Sequence, residues 1–240
     1  MQNGNPAARL LDVIAEAMET NASASTRDAW SLILNTAGNQ ALMYERLGKL
    51  MQLSEETSFL MNDLFPRQKR ATESWKKTFD SAFSNMSMGS QFVNFQNAIT
   101  DTAIDHLTSA VDLLASKNKP ELSADDIDAF VDTLNSLIYE ALNSDFEQKV
   151  MECIVRSLRK IVVSLEEYRL TGTILVVDSI EQMLGHGSFD KEYLASLKDT
   201  DLGKKILGAL GDLANAVTVA TPFIGFFLTE TVKQTLGAQG

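Results

Sequence analysis

The 240-residue sequence contains few of the residues from which catalytic and metal sites are usually built. It has one cysteine, Cys153, and two histidines, His106 and His186. A single cysteine excludes an intramolecular disulfide and a thiolate metal cluster, and its apolar neighbours predict that Cys153 is a small buried side chain. Neither a glycine-rich phosphate loop nor a Gly-x-Ser-x-Gly nucleophile motif is present. We therefore expect no catalytic residue, no cofactor and no metal ligand, and we interpret the chain as a protein without enzymatic activity.

The two histidines have ordinary structural explanations. His106 follows Asp105 on a predicted helix, but the two side chains point about 100° apart. A solvated polar face is therefore a better interpretation than half of a metal site. His186 lies between two glycines, a pattern typical of the end of a helix. The acidic stretch at residues 125–128 lacks the glycine and the distal glutamate of a calcium loop, and it suits the start of a helix.

Long apolar runs are also missing, with one partial exception near the C-terminus. No segment reaches the roughly 20 consecutive apolar residues of a transmembrane helix. Residues 213–229, LANAVTVATPFIGFFLT, are uncharged, and as a helix they would extend about 26 Å. Phe223, Phe226 and Phe227 are the candidate contact residues of this segment. It is predicted to close the core of the fold, to form an oligomer interface or, as part of residues 201–236, to contact a membrane.

The composition is that of a folded globular protein with an uneven acidic charge. Apolar residues make up 45% of the chain and charged residues 22%. The formal net charge of −11 divides into −2 for residues 1–120 and −9 for residues 121–240. Because phosphate backbones repel such a charge, we expect no nucleic-acid binding by the C-terminal half.

Two groups of basic residues stand out against this background. The first is a candidate patch for an anionic partner, nucleic acid or lipid, with Trp75 and Phe79 interleaved; its members are Arg67, Lys69, Arg70, Lys76 and Lys77. The spacing of the two aromatic residues is equally typical of a core stripe, which leaves a solvated basic face as the alternative. The second group is a ridge on one predicted helix, where acidic residues lie at salt-bridging distance; its members are Lys149, Arg156 and Lys160.

Helical patterns dominate the sequence. Apolar residues recur at steps of three and four, and four Ser-x-x-acid sequences, beginning at Ser25, Ser123, Ser144 and Ser164, match the capping box. The strand-like residues 171–177 suit a buried helix better, although Gly172 weakens that prediction. The sequence therefore predicts an all-α, multi-helix bundle with a hydrophobic C-terminal helix. About ten helices are expected, at residues 7–20, 26–52, 54–64, 67–84, 89–116, 124–142, 145–164, 166–184, 189–197 and 201–236.

A polar stretch at residues 116–122, with Pro120, is the best candidate for a domain boundary. It separates a near-neutral N-terminal helical region, residues 1–118, from an acidic C-terminal helical region with an apolar terminal helix, residues 119–240. One continuous domain is the alternative.

Four short segments in the acidic half resemble a known kind of protein. They are Leu122-Ser-Ala-Asp-Asp-Ile, Ala141-Leu-Asn-Ser-Asp-Phe, Leu165-Glu-Glu-Tyr-Arg-Leu-Thr-Gly and Ile180-Glu-Gln-Met-Leu-Gly. Together they resemble uncharacterised bacterial all-helical accessory proteins over about a quarter of the chain. The resemblance implies an accessory protein with an apolar C-terminal helix and transfers no catalytic residue. Its least generic residues are Tyr168 and Arg169, which would dock a partner or would cap and pack a helix junction.

These observations favour a non-enzymatic role. We expect a helical protein–protein interaction or self-assembly module of a bacterial accessory system, forming a homo-oligomer or binding another protein. The alternative is a membrane-perturbing toxin or phage-defence (antiviral) effector that acts through the C-terminal apolar helix. The start of the chain has no basic segment followed by an apolar run, so a cytoplasmic location is expected, peripheral to the membrane in the alternative.

Overall fold

The computed structural model describes the backbone of residues 5–115 and 122–220, and side chains as far as residue 217. The chain divides into two compact units. We call residues 5–115 the N-terminal unit and residues 122–220 the C-terminal unit. Within these ranges the structure contains twelve α-helices, one 3₁₀ turn and an isolated β-bridge between Ser25 and Gln91, with no β-strand. The predicted all-helical class is confirmed for this part of the chain.

The N-terminal unit packs its helices around an aromatic core. Helix α1 packs against α3 and α6, and α4 packs against α3, α5 and α6. The fully buried Trp30 makes edge-on contacts with Phe92 and Phe95, at centroid distances of 5.5 and 5.0 Å, the geometry that aromatic pairs prefer. The helices are α1 (Pro6–Glu19), α2 (Thr26–Ile33), α3 (Gln40–Leu64), α4 (Lys69–Ser84), α5 (Val93–Ala98) and α6 (Asp101–Ala115), with the 3₁₀ turn at Pro66–Gln68.

The predicted helix over 26–52 and the predicted break near residue 53 are wrong. Helix α2 ends at Ile33, and α3 runs from Gln40 to Leu64 without interruption. The loop between them contains Asn35, Ala37 and Gly38, all at positive φ. The buried Arg46 donates hydrogen bonds to the carbonyl oxygens of residues 34 and 35. These bonds satisfy backbone acceptors that the end of α2 would otherwise leave open.

The predicted helix over 89–116 is also divided in the structure. Helix α5 ends at Ala98, Ile99 adopts an extended conformation, and α6 begins at Asp101. The short α5 carries Gln96, whose side-chain amide donates to the carbonyl oxygens of Ala17 and Thr20 at the C-terminal end of α1. Because of this break, Gln96 on α5 caps the C-terminal end of α1, while α6 packs against α1 and α4.

The C-terminal unit is built around four long helices. Helix α8 packs against α7 and α10, and α12 packs against the same two helices, so α8 and α12 occupy diagonal corners of a four-helix arrangement. Two short helices, α9 and α11, complete the unit. The bounds are α7 (Ala124–Leu142), α8 (Gln148–Glu166), α9 (Tyr168–Thr171), α10 (Ile174–His186), α11 (Lys191–Asp199) and α12 (Asp201–Ala220).

Two of the four predicted caps are confirmed. Ser123 forms a complete capping box with Asp126, and Ser25 accepts the backbone N–H of Asp28. The cap predicted at Ser144 is wrong, because α8 begins at Gln148 and the Ser144 hydroxyl donates to a carbonyl oxygen at the end of α7. The cap predicted at Ser164 is wrong because Ser164 lies inside α8.

The strand-like segment at residues 171–177 is helical from Ile174 onward, as expected. Gly172 separates α9 from α10 with φ of 65°, a conformation that favours glycine. The predicted helix over 166–184 is therefore two helices.

The last helix packs its apolar face into the C-terminal core. Ile206, Leu210, Leu213 and Val217 are fully buried. The part of the predicted helix beyond residue 220, including Phe223, Phe226 and Phe227, lies outside the described residues. Within the two described ranges, no helix combines the length and the apolar composition that crossing a bilayer requires.

Candidate interaction surface

Helix α8 has one strongly apolar side and one polar side. Its apolar side, with Ile154, Leu158 and Ile161 fully buried, faces the core of the C-terminal unit. The opposite side faces solvent and carries exposed Arg156, Arg159, Lys160 and Val163. The three- and four-residue spacing of both sets places them on opposite sides of the helix.

A groove of about 640 Å³ lies over this outward side. Its walls come from the end of α7 on one side and from α10 on the other. We call it the α8 groove and define it by its apolar and cationic lining residues: Leu142, Met151, Val163 and Leu175, with Arg156, Arg159 and Lys160.

The apolar part of the α8 groove is open to solvent. Leu142 is 48% exposed, Val163 is 45% exposed and Leu175 is 36% exposed. Exposed aliphatic side chains that share one depression are typical of contact surfaces, whereas single scattered ones are ordinary.

The cations of the α8 groove are available to a ligand. Within the described ranges, Arg156, Arg159 and Lys160 take part in no ion pair; Lys160 donates a hydrogen bond of 3.0 Å to the neutral side chain of Gln182 on α10. Two carboxylates also line the groove: that of Glu152, which accepts a hydrogen bond from Gln148, and that of the buried Glu167. Among the described residues, the exposed part of the lining therefore carries three cations and one carboxylate, a small positive excess in a strongly acidic half of the chain.

Helix α7 presents the opposite charge. Asp125, Asp128 and Asp132 are exposed, and their steps of three and four place them along one side of the helix. We call them the α7 acidic stripe. None of the three is in an ion pair within the described ranges. The stripe continues toward Tyr139, seven residues beyond Asp132, which is 70% exposed.

The structure separates Lys149 from the other two residues of the predicted basic ridge. Lys149 lies 3.8 Å from Asp190, so its partner comes from the start of α11 and not from its own helix. Arg156 and Lys160 instead line the α8 groove with Arg159. The sequence indicated the cations on this helix, but the groove depends on walls from α7 and α10 that no local pattern reveals.

Tyr168 and Arg169 lie at the junction of α8 and α9. Tyr168 is only 3% exposed, and its hydroxyl oxygen accepts the backbone N–H of Leu122 at 3.2 Å. Of the two roles expected for Tyr168, its burial favours packing at the helix junction, because the side chain has little exposed surface with which to dock a partner. Arg169 is half-buried.

The basic patch of the N-terminal unit is partly neutralised within the fold. Lys76 forms ion pairs with Glu55, at 2.7 Å, and with Asp80, and Lys69 lies 3.7 Å from Glu73. Trp75, like Phe79, is fully buried, so neither ring is available to stack on a base. The exposed Arg67, Arg70 and Lys77 remain, without an ion pair in the described part of the chain.

Titratable groups elsewhere in the C-terminal unit stabilise the fold. Asp190 is the N-cap of α11 and accepts the backbone N–H of Tyr193, which lowers the pKa of its carboxyl group; the nearby charges of Lys149 and His186 act in the same direction. Burial raises the pKa of the Tyr193 hydroxyl, which donates to the carbonyl oxygen of Met183. Cys153 is a buried free thiol, as predicted. Among the described residues, no group of three or more histidine, cysteine and carboxylate side chains is placed to hold a metal ion.

Comparison of the chain with models of protein families, with curated proteins and with solved structures gives no match.

Proposed function

We propose that this chain is a non-enzymatic helical interaction module whose C-terminal unit binds a protein surface through the α8 groove. The accessory role implied by the resemblance of residues 122–185 is compatible with this function. Such a surface suits the binding of another protein better than the catalysis of a reaction.

One observation carries the proposal. Exposed aliphatic side chains and three cations that form no ion pair among the described residues share a single depression on the outward side of α8. Protein interfaces favour a desolvated apolar centre, and arginine is enriched in them while lysine is depleted; here Arg156 and Arg159 line the groove together with Val163. Because the groove is largely open to solvent, it suits a protein segment better than a small molecule, which a pocket usually encloses.

The membrane-perturbing alternative has less support from the described residues. For α12 to enter a bilayer, its apolar face would have to leave the core of the C-terminal unit. Fully burying one large aliphatic side chain stabilises a fold by about 1.5–3 kcal/mol, and Ile206, Leu210, Leu213 and Val217 are all fully buried. Insertion would therefore require extensive unfolding of this unit.

Site-specific photo-crosslinking in the host cell tests the proposal. A photoreactive amino acid replaces Val163 in the α8 groove, and in a matched control it replaces exposed Asp212 on α12, the helix diagonally opposite. We expect a discrete protein adduct from position 163 and none from position 212, with mass spectrometry identifying the adduct. Position 163 giving no adduct, or the same adducts as position 212, would contradict the proposal.

A further inference from the structure

The α7 acidic stripe and the α8 groove face the same side of the C-terminal unit. On α7, Glu140 accepts a hydrogen bond of 2.8 Å from Lys205 of α12 and so marks the side next to α12, whereas Leu142 lines the α8 groove. Tyr139 lies about 100° around the helix from Glu140 and about 60° from Leu142. The α7 acidic stripe, which lies on the same side of the helix as Tyr139, is therefore turned toward α8 and away from α12.

The same reasoning orients the cations of α8. Lys160 contacts Gln182 and so marks the side next to α10. Arg159 is rotated about 100° from Lys160, in the direction away from α10 and toward α7. The face between α7 and α8 thus carries acidic residues on one helix and arginines on the other.

One member of each charged group, Asp132 on α7 and Arg159 on α8, lies at the same height in this face. Helices α7 and α8 are joined by residues 143–147 and pack against each other, as an antiparallel pair with a short connection does. Asp132 lies ten residues before the end of α7, and Arg159 lies eleven residues after the start of α8. At 1.5 Å per residue, both are roughly 16 Å from the connection.

A two-fold rotation about an axis parallel to these helices would bring α7 of one copy opposite α8 of another at the same height. Such an interface uses one patch on both copies and must complement itself. This face meets the requirement, because each copy offers three aspartates on α7 and, on α8, two arginines and a lysine beside the one exposed carboxylate of the groove's described lining, that of Glu152. Tyr139, Leu142 and Val163 supply apolar area between the charges.

We infer that the partner of the α8 groove is a second copy of this chain, whose α7 acidic stripe fills the groove while its own groove receives the stripe of the first copy. The inference rests on the proposed function and names the binding partner. The net charge of −11 on each copy opposes association at long range, but at about 0.15 M salt interactions beyond about 8 Å are largely screened. The close carboxylate–arginine contacts then decide the pairing.

Reciprocal charge reversal gives a sharp test. One variant carries Arg156→Glu and Arg159→Glu, and a second carries Asp128→Arg and Asp132→Arg. In a dimer of either variant alone, like charges face each other at both of the symmetric contacts between a stripe and a groove. In a mixed dimer that contains one copy of each variant, opposite charges face each other at both contacts. A control variant, Lys191→Glu with Lys204→Glu, makes the same charge change as the first at exposed positions on α11 and α12.

Sedimentation velocity and light scattering of the full chain, at about 0.15 M salt and up to about 100 µM protein, measure the outcome. We expect a dimer for the unaltered chain and for the control, and a dissociation constant at least about 100-fold weaker for each reversed variant alone. We expect an equimolar mixture of the two reversed variants to form the dimer again. A monomeric unaltered chain, or a mixture that stays monomeric while both variants keep the helical circular dichroism spectrum, would overturn the inference.

The crosslinking experiment separates this inference from the proposed function. An adduct between position 163 and the same chain supports both. An adduct with a different protein supports the proposed function and overturns the homodimer. No specific adduct overturns both.

Discussion

The side-chain amide of Gln96 lies 2.8 Å from the carbonyl oxygen of Thr20, a contact between residues 76 positions apart. The same amide donates to Ala17 at 2.9 Å, and Gln96 is 9% exposed. The last carbonyl groups of a helix lack hydrogen-bond donors within that helix. Gln96, from a distant part of the chain, supplies a donor and so caps the C-terminal end of α1.

Replacing Gln96 with leucine should destabilise the N-terminal unit. The substitution leaves buried carbonyl oxygens of α1 without a donor, and we expect a loss of about 1–3 kcal/mol in the free energy of unfolding. Urea denaturation followed by circular dichroism measures it. Gln52→Leu, at an exposed position on α3, is the matched control and should change the value by less than about 0.5 kcal/mol.

Two glycines of α12 should respond in opposite ways to alanine. A Cβ atom at Gly203 would lie 2.3 Å from the backbone oxygen of Ser196 and 2.4 Å from that of Leu197, so α11 and α12 would have to separate. We expect Gly203→Ala to cost about 1–3 kcal/mol through overpacking. Gly208 is exposed on the same helix with no atom within 4 Å of such a Cβ, and Gly208→Ala should stabilise the chain by up to about 1 kcal/mol through helix propensity. Equal effects in thermal denaturation would contradict the close helix approach.

Replacing a buried and an exposed aromatic residue with alanine should change the free energy of unfolding by very different amounts. Trp30 is fully buried against Phe92 and Phe95, and Trp30→Ala should cost about 3–5 kcal/mol. Phe59 on α3 is 71% exposed, and Phe59→Ala should change stability by less than about 0.5 kcal/mol. Chemical denaturation of both variants gives the comparison, and a small effect at Trp30 would show that this core is misassigned.

The Asp190 cap should make the C-terminal unit sensitive to acid. The hydrogen bond from the Tyr193 backbone, with the charges of Lys149 and His186, lowers the pKa of this carboxyl group in the folded chain. A lowered folded-state pKa adds stability at a pH above the unfolded value, and that stability is lost as the pH falls through the folded value. We expect Asp190→Asn, which keeps a capping oxygen but does not titrate, to lose less stability than the unaltered chain as the pH falls below about 4. Thermal denaturation across this range measures the difference, and parallel curves would rule out the linkage.

Vesicle flotation tests the membrane alternative directly. Because the apolar face of α12 lies in the protein core and the chain is strongly acidic, we expect the intact chain to remain unbound to vesicles of anionic lipid. A basic amphipathic peptide is the positive control. Flotation of the folded chain at neutral pH would favour the alternative function.

The sequence predicted the helical class because both helix starts and apolar stripes are local features. Ser123 and Asp126 form a capping box within four consecutive residues, so the start of α7 could be predicted from the local sequence. The break after Ile33 was missed because Ala37, unlike Gly38, gives no sign of a positive φ. It depends on Arg46, which binds the loop carbonyls from the next helix.

The candidate site could be predicted only in part. The cations Arg156 and Lys160 were visible as a ridge, but Leu142 and Leu175 join them from other helices. Tyr168 was a candidate docking residue because it is an aromatic residue beside an arginine. Its burial depends on tertiary packing around the ring and could not be predicted from the sequence. Tertiary contacts, not local patterns, decide which side of each helix remains exposed.

The distribution of Trp30, Trp75 and Cys153 gives each unit its own natural probe. The two tryptophans of the chain are fully buried in the N-terminal unit, and the single thiol is 8% exposed in the C-terminal unit. Emission spectra therefore monitor the opening of one unit, while the rate of reaction with a thiol reagent monitors the other, since a buried thiol reacts when its surroundings open. The order in which the two halves lose their structure can thus be followed in the native sequence without attaching a label to the tryptophan-containing half.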